Sequence, residues 1–284
     1  MSDVHPPLEA VRAVVRAALA EDLLPMGDIT ASLVPGSTVG SARFVARQPG
    51  VISGVRSAHE AFRQVDDSVE VRWQLDDSIA VRPGDVVGSV RGPLRSILTA
   101  ERTALNLLCH LSGIATFTRR YVDAVSAADQ RCRVRDTRKT TPGLRALEKA
   151  AVRAGGGVNH RANLSESILI KDNHLGGLSV TEAVTLARQR WPGRHVEVEC
   201  DDADQLKVAL DAGADMVLLD NMTPDQVAAC VETVRAVAPE TPVEVSGRVS
   251  LEAAPAYARA GADFVSIGSI THSAPVLDIG LDLD

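Results

Sequence analysis

Two hydrophobic periods alternate along this chain. Leu8, Val11, Val15 and Leu19 recur every three to four positions, which predicts a helix over 8–22 that the breakers Pro25 to Gly27 end. From Ser41 to Val90 the period shortens towards two. Ala42 to Ala46, Val51 to Val55, the alternating Val69, Val71, Trp73 and Leu75, and Val86 to Val90 predict short strands, punctuated by Pro49-Gly50 and Pro83-Gly84, with one helix over 56–65. That pattern is a small α/β unit with an antiparallel sheet. After Pro93 the chain reads as helix over 94–109 and, past Ser112-Gly113, over 114–127, and a domain boundary is expected along this connection.

From Arg131 one unit repeats: a short apolar strand, a polar residue at its end, then an amphipathic helix. Strands are predicted over 134–136, 167–170, 196–199, 216–219, 243–245 and 264–267, with helices over 143–154, 180–190, 204–210, 224–237 and 251–260 between them. Such alternation makes a parallel sheet, because each crossover helix returns the chain to start the next strand in the same direction. The sheet is either open and doubly wound or closed towards a barrel. Arg138 and Lys139 follow the first strand and Lys171 the second. Glu199 ends the third, Asp220 follows the fourth, and Ser246-Gly247 and Gly268-Ser269 follow the last two. In a barrel these ends converge on one mouth, where active sites of that architecture lie.

Charge sharpens the picture. Between Arg131 and Arg161 there are nine Arg or Lys against two acidic residues, in a chain of formal net charge −7. Cations concentrated beside Thr, Gly and His in an acidic protein predict a pocket for a small, multiply anionic ligand. Only four lysines occur, at 139, 149, 171 and 207, so Lys139 and Lys171 stand out where arginine is otherwise the rule. The surface of the helix bearing Arg145, Lys149 and Arg153 accounts for those three more simply. Low aromatic content and the acidic balance argue against nucleic-acid partners. No apolar run reaches membrane-spanning length and the N-terminus has no leader pattern, so a cytoplasmic protein is expected. The four cysteines are widely spaced, which predicts neither zinc nor disulfides.

The candidate chemistry follows from the strand ends. Ser246-Gly247 and Gly268-Ser269 can offer backbone N–H groups to a terminal phosphate. Glu199 and Asp220, two carboxylates in a cationic mouth, suit sugar hydroxyls or Mg²⁺. Arg138, Arg161 and His160 suit carboxylates. Together they point to an enzyme joining a phosphorylated sugar to a carboxylated small molecule. A barrel aldolase with Lys171 as Schiff-base nucleophile is the alternative of a different class.

Longer motifs carry a resemblance. EDLLPMGDIT from Glu21, ERTALNLL from Glu101, LSGIAT from Leu111, DTRKTTPGLR from Asp136, GGGVNHR from Gly155, ILIKDNH from Ile168, LLDNM from Leu218 and IGSITHSAPVLDIGL from Ile267 resemble the quinolinate phosphoribosyltransferases nearly end to end. The resemblance implies an N-terminal α/β sandwich over 1–112 and an incomplete α/β barrel over 113–270, with the tail 271–284 packing on the first domain. It implies transfer of the phosphoribosyl group of phosphoribosyl pyrophosphate to quinolinate with decarboxylation, giving nicotinate mononucleotide for NAD biosynthesis, with Mg²⁺. It also implies a homodimer with shared active sites, open to further assembly. In it Arg102 would reach the partner's quinolinate, Arg138, His160 and Arg161 would bind the two carboxylates of that substrate, and Thr137 would be a further substrate contact. Lys139 and Lys171 would sit between quinolinate and pyrophosphate, Glu199 and Asp220 at the ribose or the metal, and Ser246, Gly247, Gly268 and Ser269 at the 5-phosphate. Arg248, where the family pattern has a small residue, would either add a contact to that phosphate or point to solvent.

Overall fold

The computed structural model of the chain describes residues 4–284; residues 1–3, the start of the stretch read for a leader, lie outside the described residues. The chain falls into two compact units. The first gathers the chain through Arg119 with Thr140–Gly156 and Ile270–Asp284, and the second is Arg120–Lys139 with Gly157–Ser269.

In the first unit, helix α1 (Leu8–Leu23) buries Val11, Val15 and Leu19, as its period requires. Strands β1 (Val39–Ala46), β3 (Glu70–Trp73), β5 (Val86–Pro93) and β12 (Ile279–Leu283) make an antiparallel sheet in the order β12-β1-β5-β3, with Ala42 opposite Leu283. The predicted strand over 51–55 is cut short. Strand β2 (Gly50–Val51) pairs only with β4 (Ala80–Val81), and helix α2 (Val55–Val65) begins at once. The reason is Asp77, whose buried carboxylate accepts from the N–H groups of Gly54 and Val55 at 3.0 and 3.1 Å and so caps the helix. Gly54, at φ 100, turns the chain there.

Helix α3 (Leu94–Ala128) is continuous, where the sequence predicted a break at Ser112-Gly113. Both residues are used for packing instead. Ser112 Oγ accepts from Ser53 N–H at 2.9 Å and donates to Ser53 O, and a Cβ on Gly113 would lie 2.8 Å from Val276 Cα. Helix α4 (Arg145–Ala154), counted above as a barrel repeat, groups with this unit, as does most of the short helix α10 (Ser269–His272). Arg119 Nε donates to Gly155 O at 2.9 Å, and Gly155 sits against Ala115 O and Thr118 too closely to admit a side chain.

The second unit contains β6 (Arg133–Arg135), β7 (Ile168–Ile170), α5 (Asp172–Leu175), α6 (Val180–Arg190), β8 (Val196–Cys200), α7 (Ala203–Asp211), β9 (Met216–Asp220), α8 (Pro224–Val237), β10 (Val243–Ser246), α9 (Ala254–Arg259) and β11 (Phe264–Ser266). All six strands are parallel, in the order β6-β11-β10-β9-β8-β7. That order settles the choice left by the sequence. From β7 onward each strand lies beside the next in chain order, with no reversal of the kind a doubly wound sheet shows, and the last pairs with the first. The result is an incomplete barrel whose two edges are β6 and β7.

Period two along these strands divides their side chains. One face carries Val134, Ile170, Val196, Val198, Val217, Leu219, Val243, Val245 and Val265, all buried. The other carries Arg135, Leu169, Glu197, Glu199, Met216, Leu218, Asp220, Glu244, Ser246, Phe264 and Ser266. Short, capped loops leave the strand ends. Asp202 accepts from Asp204 and Gln205 N–H at the start of α7, and Thr223 with Gln226 forms a reciprocal cap on α8.

Candidate active site

A cavity of about 310 Å³ opens where the strands of the second unit end. Eight of the residues predicted from sequence line it: Thr137, Arg138, Lys139, His160, Arg161, Lys171, Glu199 and Ser246. Leu169, Leu218, Glu244 and Ser266, which the sequence reading did not single out, complete the lining. Leu169 and Leu218 give the cavity an apolar wall.

Each polar side chain is set by its element. Lys171 follows β7 and directs Nζ onto the Glu199 carboxylate from the neighbouring β8. Its backbone N–H donates to His174 Nδ1 at 3.1 Å, which fixes the turn into α5. A Schiff-base lysine is activated by apolar surroundings or by other cations; Lys171 sits on a carboxylate, which speaks against the aldolase alternative. Lys139 N–H donates to Thr137 Oγ1 at 3.0 Å, a turn made by the residues themselves. Asp136, fully buried, ties the loop of His160 to the end of β6: its carboxylate accepts from His160 N–H at 2.8 Å and from Asn159 Nδ2 at 2.6 Å. Arg161 Nη1 donates to Ser167 O at 2.9 Å. Burial first, and then the nearby Arg138, pull the Arg161 guanidinium below its ordinary value. Two guanidinium groups held close in one cavity favour a ligand with more than one negative charge.

Below this layer lies a buried ionic cluster. His160 Nε2 is 3.0 Å from Glu197 Oε2 and 3.6 Å from Glu244 Oε1. Glu244 also accepts from Ser266 Oγ at 2.5 Å and pairs with the Arg135 guanidinium, which lies over the Phe264 ring at 4.4 Å. Burial pushes both carboxyls up, and for Glu244 the charge of Glu197 adds to the effect. His160, Glu197 and Glu244 lie close enough to hold a metal. The guanidinium beside them, and the use of His160 Nδ1 as acceptor for Arg161 N–H at 2.7 Å, which leaves the ring proton on Nε2, argue for a hydrogen-bonded network instead. Glu197 and Glu244 had a legible signal: each stands between two valines of a strand, VEVEC and VEVS, so period two turns both away from the apolar face.

Other predicted residues lie off the cavity. Asp220 ends β9 opposite Ser246 and accepts from Asn221 Nδ2 at 2.5 Å. Gly247, at φ 110, packs so closely on Asn221 that a Cβ would lie 2.6 Å from its backbone N. Arg248, at φ 50, is exposed, and Gly268-Ser269 follow β11. Arg102 belongs to the first unit, exposed on α3 among buried Thr103, Ala104 and Leu105.

Comparison with known proteins decides the family. The profile described as quinolinate phosphoribosyl transferase, C-terminal domain, matches residues 114–282, and that of the N-terminal domain matches residues 28–112. The chain belongs to the quinolinate phosphoribosyl transferase family. Among its relatives, the nicotinate-nucleotide pyrophosphorylase (carboxylating) of Mycobacterium leprae (strain TN) is 44% identical over 279 residues, covering 97% of this chain and 98% of that protein. The chloroplastic enzyme of the same name from Arabidopsis thaliana is 36% identical over 298 residues, covering 99% and 84%. The solved structure of the nicotinate-nucleotide pyrophosphorylase from Francisella tularensis superposes with a TM-score of 0.93 at 37% identity, covering 100% of this chain and 99% of that one. The family match and this superposition agree with the incomplete barrel and the antiparallel N-terminal sheet found here.

Proposed function

We propose that this chain transfers the phosphoribosyl group of phosphoribosyl pyrophosphate to quinolinate, releasing pyrophosphate and carbon dioxide and leaving nicotinate mononucleotide for NAD biosynthesis. The observation that carries this reading is one cavity holding Arg138, Arg161, Lys139, Lys171 and Glu199 at the strand ends of a family barrel. The guanidinium groups of Arg138 and Arg161 pair with the two quinolinate carboxylates and hold the ring nitrogen towards the anomeric carbon. The C–N bond forms as the C–O bond to pyrophosphate breaks, and the electron pair leaves with that oxygen. Lys139 and Lys171 stabilise the charge that grows there, the type of fixed electrostatic aid that most lowers barriers. Loss of the 2-carboxylate as CO₂ leaves a carbanion beside the quaternised nitrogen, which then takes up one proton. Glu199, held by Lys171, and Asp220 accept from the ribose hydroxyls.

The same two carboxylates offer hard oxygen donors at the mouth, which fits Mg²⁺ bound together with the pyrophosphate. Mg²⁺ would supply charge neutralisation to the departing pyrophosphate. The Ser246-Gly247 and Gly268-Ser269 turns offer N–H groups to the 5-phosphate, with Arg248 on the same rim.

We infer a homodimer with shared sites. Leu24, Met26, Ile29 and Leu33 are 73, 79, 70 and 82% exposed on one short stretch of the first unit, an apolar surface that calls for a cover. Arg102, exposed on the same unit, would serve the partner's quinolinate. A verified mixed dimer of an Arg102→Ala and an Asp220→Ala subunit should regain activity that neither parent has; no recovery would overturn the shared site. A cytoplasmic setting is supported by four free cysteines, and among the described residues no helix is long and apolar enough to cross a membrane. The deciding assay follows pyrophosphate and carbon dioxide from quinolinate with phosphoribosyl pyrophosphate and Mg²⁺. Turnover of nicotinate with none of quinolinate would overturn the reading.

A further inference from the structure

Behind the cavity lining lie two carboxyls that the proposed chemistry does not use, Glu244 at its wall and Glu197 beneath it. Glu197 and Glu244 are 3% and 0% exposed, on neighbouring layers of β8 and β10. Glu197 Oε1 meets no donor among the described residues, and Glu244 is the neighbouring carboxyl with which Glu197 can share a hydrogen bond. Burying a carboxyl oxygen that meets no donor costs stability, so an apolar side chain would pack here at lower cost. Its other oxygen faces His160 Nε2 at 3.0 Å. The direction of that contact is fixed by the far side of the ring, where His160 Nδ1 accepts the Arg161 N–H at 2.7 Å. A nitrogen that accepts carries no proton, so Nε2 carries it and donates to the carboxyls. Glu244 is itself held by Ser266 Oγ and Arg135. A connected path thus runs from β6 and β11 through Glu244, and from β8 through Glu197, to the imidazole and on to the backbone of Arg161.

We propose that Glu197 and Glu244 are positioning residues for the dicarboxylate half of the pocket: they lock the orientation and Nε2–H tautomer of His160, and His160 in turn places Arg161. The phosphoribosyl half is held by other groups, Lys171 and Glu199 with the turns after β10 and β11, so the effect should fall on one substrate. This rests on the quinolinate reading above.

The test uses the full-length protein with Glu197→Met, which removes the acceptor at similar volume, and Glu197→Gln, whose amide oxygen still accepts from Nε2–H. Glu197→Met should raise the KM for quinolinate about tenfold or more, since small displacements of positioned groups carry costs of this order. The KM for phosphoribosyl pyrophosphate should change less than about twofold, and the melting temperature should not fall. Glu197→Gln should recover a large part of the loss. In a His160→Ala background Glu197→Met should add nothing further, because its path is already cut. Equal rises in both KM values, or full additivity with His160→Ala, would overturn the proposal. Nitrogen NMR of the unliganded protein gives a readout that needs no turnover. His160 should show the Nε2–H tautomer, lost in Glu197→Met; an Nδ1–H ring in the wild type would refute the positioning role even if quinolinate is the substrate. Conversely, the expected tautomer without quinolinate turnover would leave the positioning network standing and remove the substrate assignment.

Discussion

The strands of the barrel present two faces of different chemistry, the outward one apolar throughout and the inward one mixing ionic and hydroxyl side chains with Leu169, Met216, Leu218 and Phe264. On the helix-packed side, Val196, Val198, Val217, Leu219, Val243, Val245 and Val265 are all between 0 and 1% exposed, and the run of β-branched and leucine side chains has no polar member. On the inward side of the same strands stand Arg135, Glu197, Glu199, Glu244, Ser246 and Ser266, most of them paired with one another or lining the cavity. One backbone therefore serves two ends. The outer face stabilises the unit by removing apolar surface from water, each full side chain contributing about 1.5 to 3 kcal/mol. The inner face spends part of that stability on buried ions, which hydrophobic replacements could match or exceed in stability. Mutations on the two faces should accordingly separate turnover from folding.

The largest separation is expected at Lys171. Lys171→Ala should lower kcat by about 100 to 1000-fold, the usual cost of removing one preorganised charge, while the melting temperature stays close to that of the wild type. Steady-state assay beside thermal unfolding checks both. A variant that melts far lower yet keeps its specific activity when folded would erase the distinction between the faces. Leu219→Ala should do the reverse. Deleting a fully buried leucine from a packed sheet costs about 2 to 5 kcal/mol, and kcat per folded molecule should remain within a few-fold of wild type. Denaturant unfolding measures the first quantity and assay well below the transition the second.

How legible each region was in the sequence follows from the same division. The six barrel strands could be read because each is a short run with a polar residue at its end, most of them followed by a helical period, and the lysines at 139 and 171 stood out against a background of arginine. The cavity was therefore foreseen through its rim. The layer beneath it was not: Glu197 and Glu244 sit inside strands, where a carboxyl reads as an exception to an apolar run, and only the folded side-chain contacts show that both meet His160. In the first unit local pattern misled at two points for long-range reasons. Val51 to Val55 has the composition of a strand, yet Asp77, more than twenty positions away, caps a helix starting at Val55. Ser112-Gly113 has the composition of a break, yet contacts with Ser53 and Val276 retain it inside α3. Arg145 to Ala154 has the amphipathic period of a barrel helix, and nothing local in it distinguishes the unit to which it belongs.

The smallest expected effect tests the inner face by pH. Burial and the neighbouring Glu197 raise the Glu244 carboxyl above its ordinary value, whereas an unfolded glutamate titrates near about 4.3. Between those two values the folded chain retains a proton that the unfolded chain has released, so unfolding is favoured as pH rises. The stabilising contribution of this group is complete below the unfolded value and is lost as pH climbs through the folded one. Glu244→Gln has no such proton. Its stability should fall less steeply than that of the wild type from about pH 4 upward, whatever the absolute level set by the loss of the Arg135 pair. The apolar outer face supplies the control, because Leu219→Ala should lower the whole curve and leave its slope unchanged. Urea titrations of the three proteins at a series of pH values make the comparison. Parallel curves for wild type and Glu244→Gln would mean that Glu244 is ionised in the folded protein across the range, and that the layer beneath the cavity carries a full negative charge where burial predicts a retained proton.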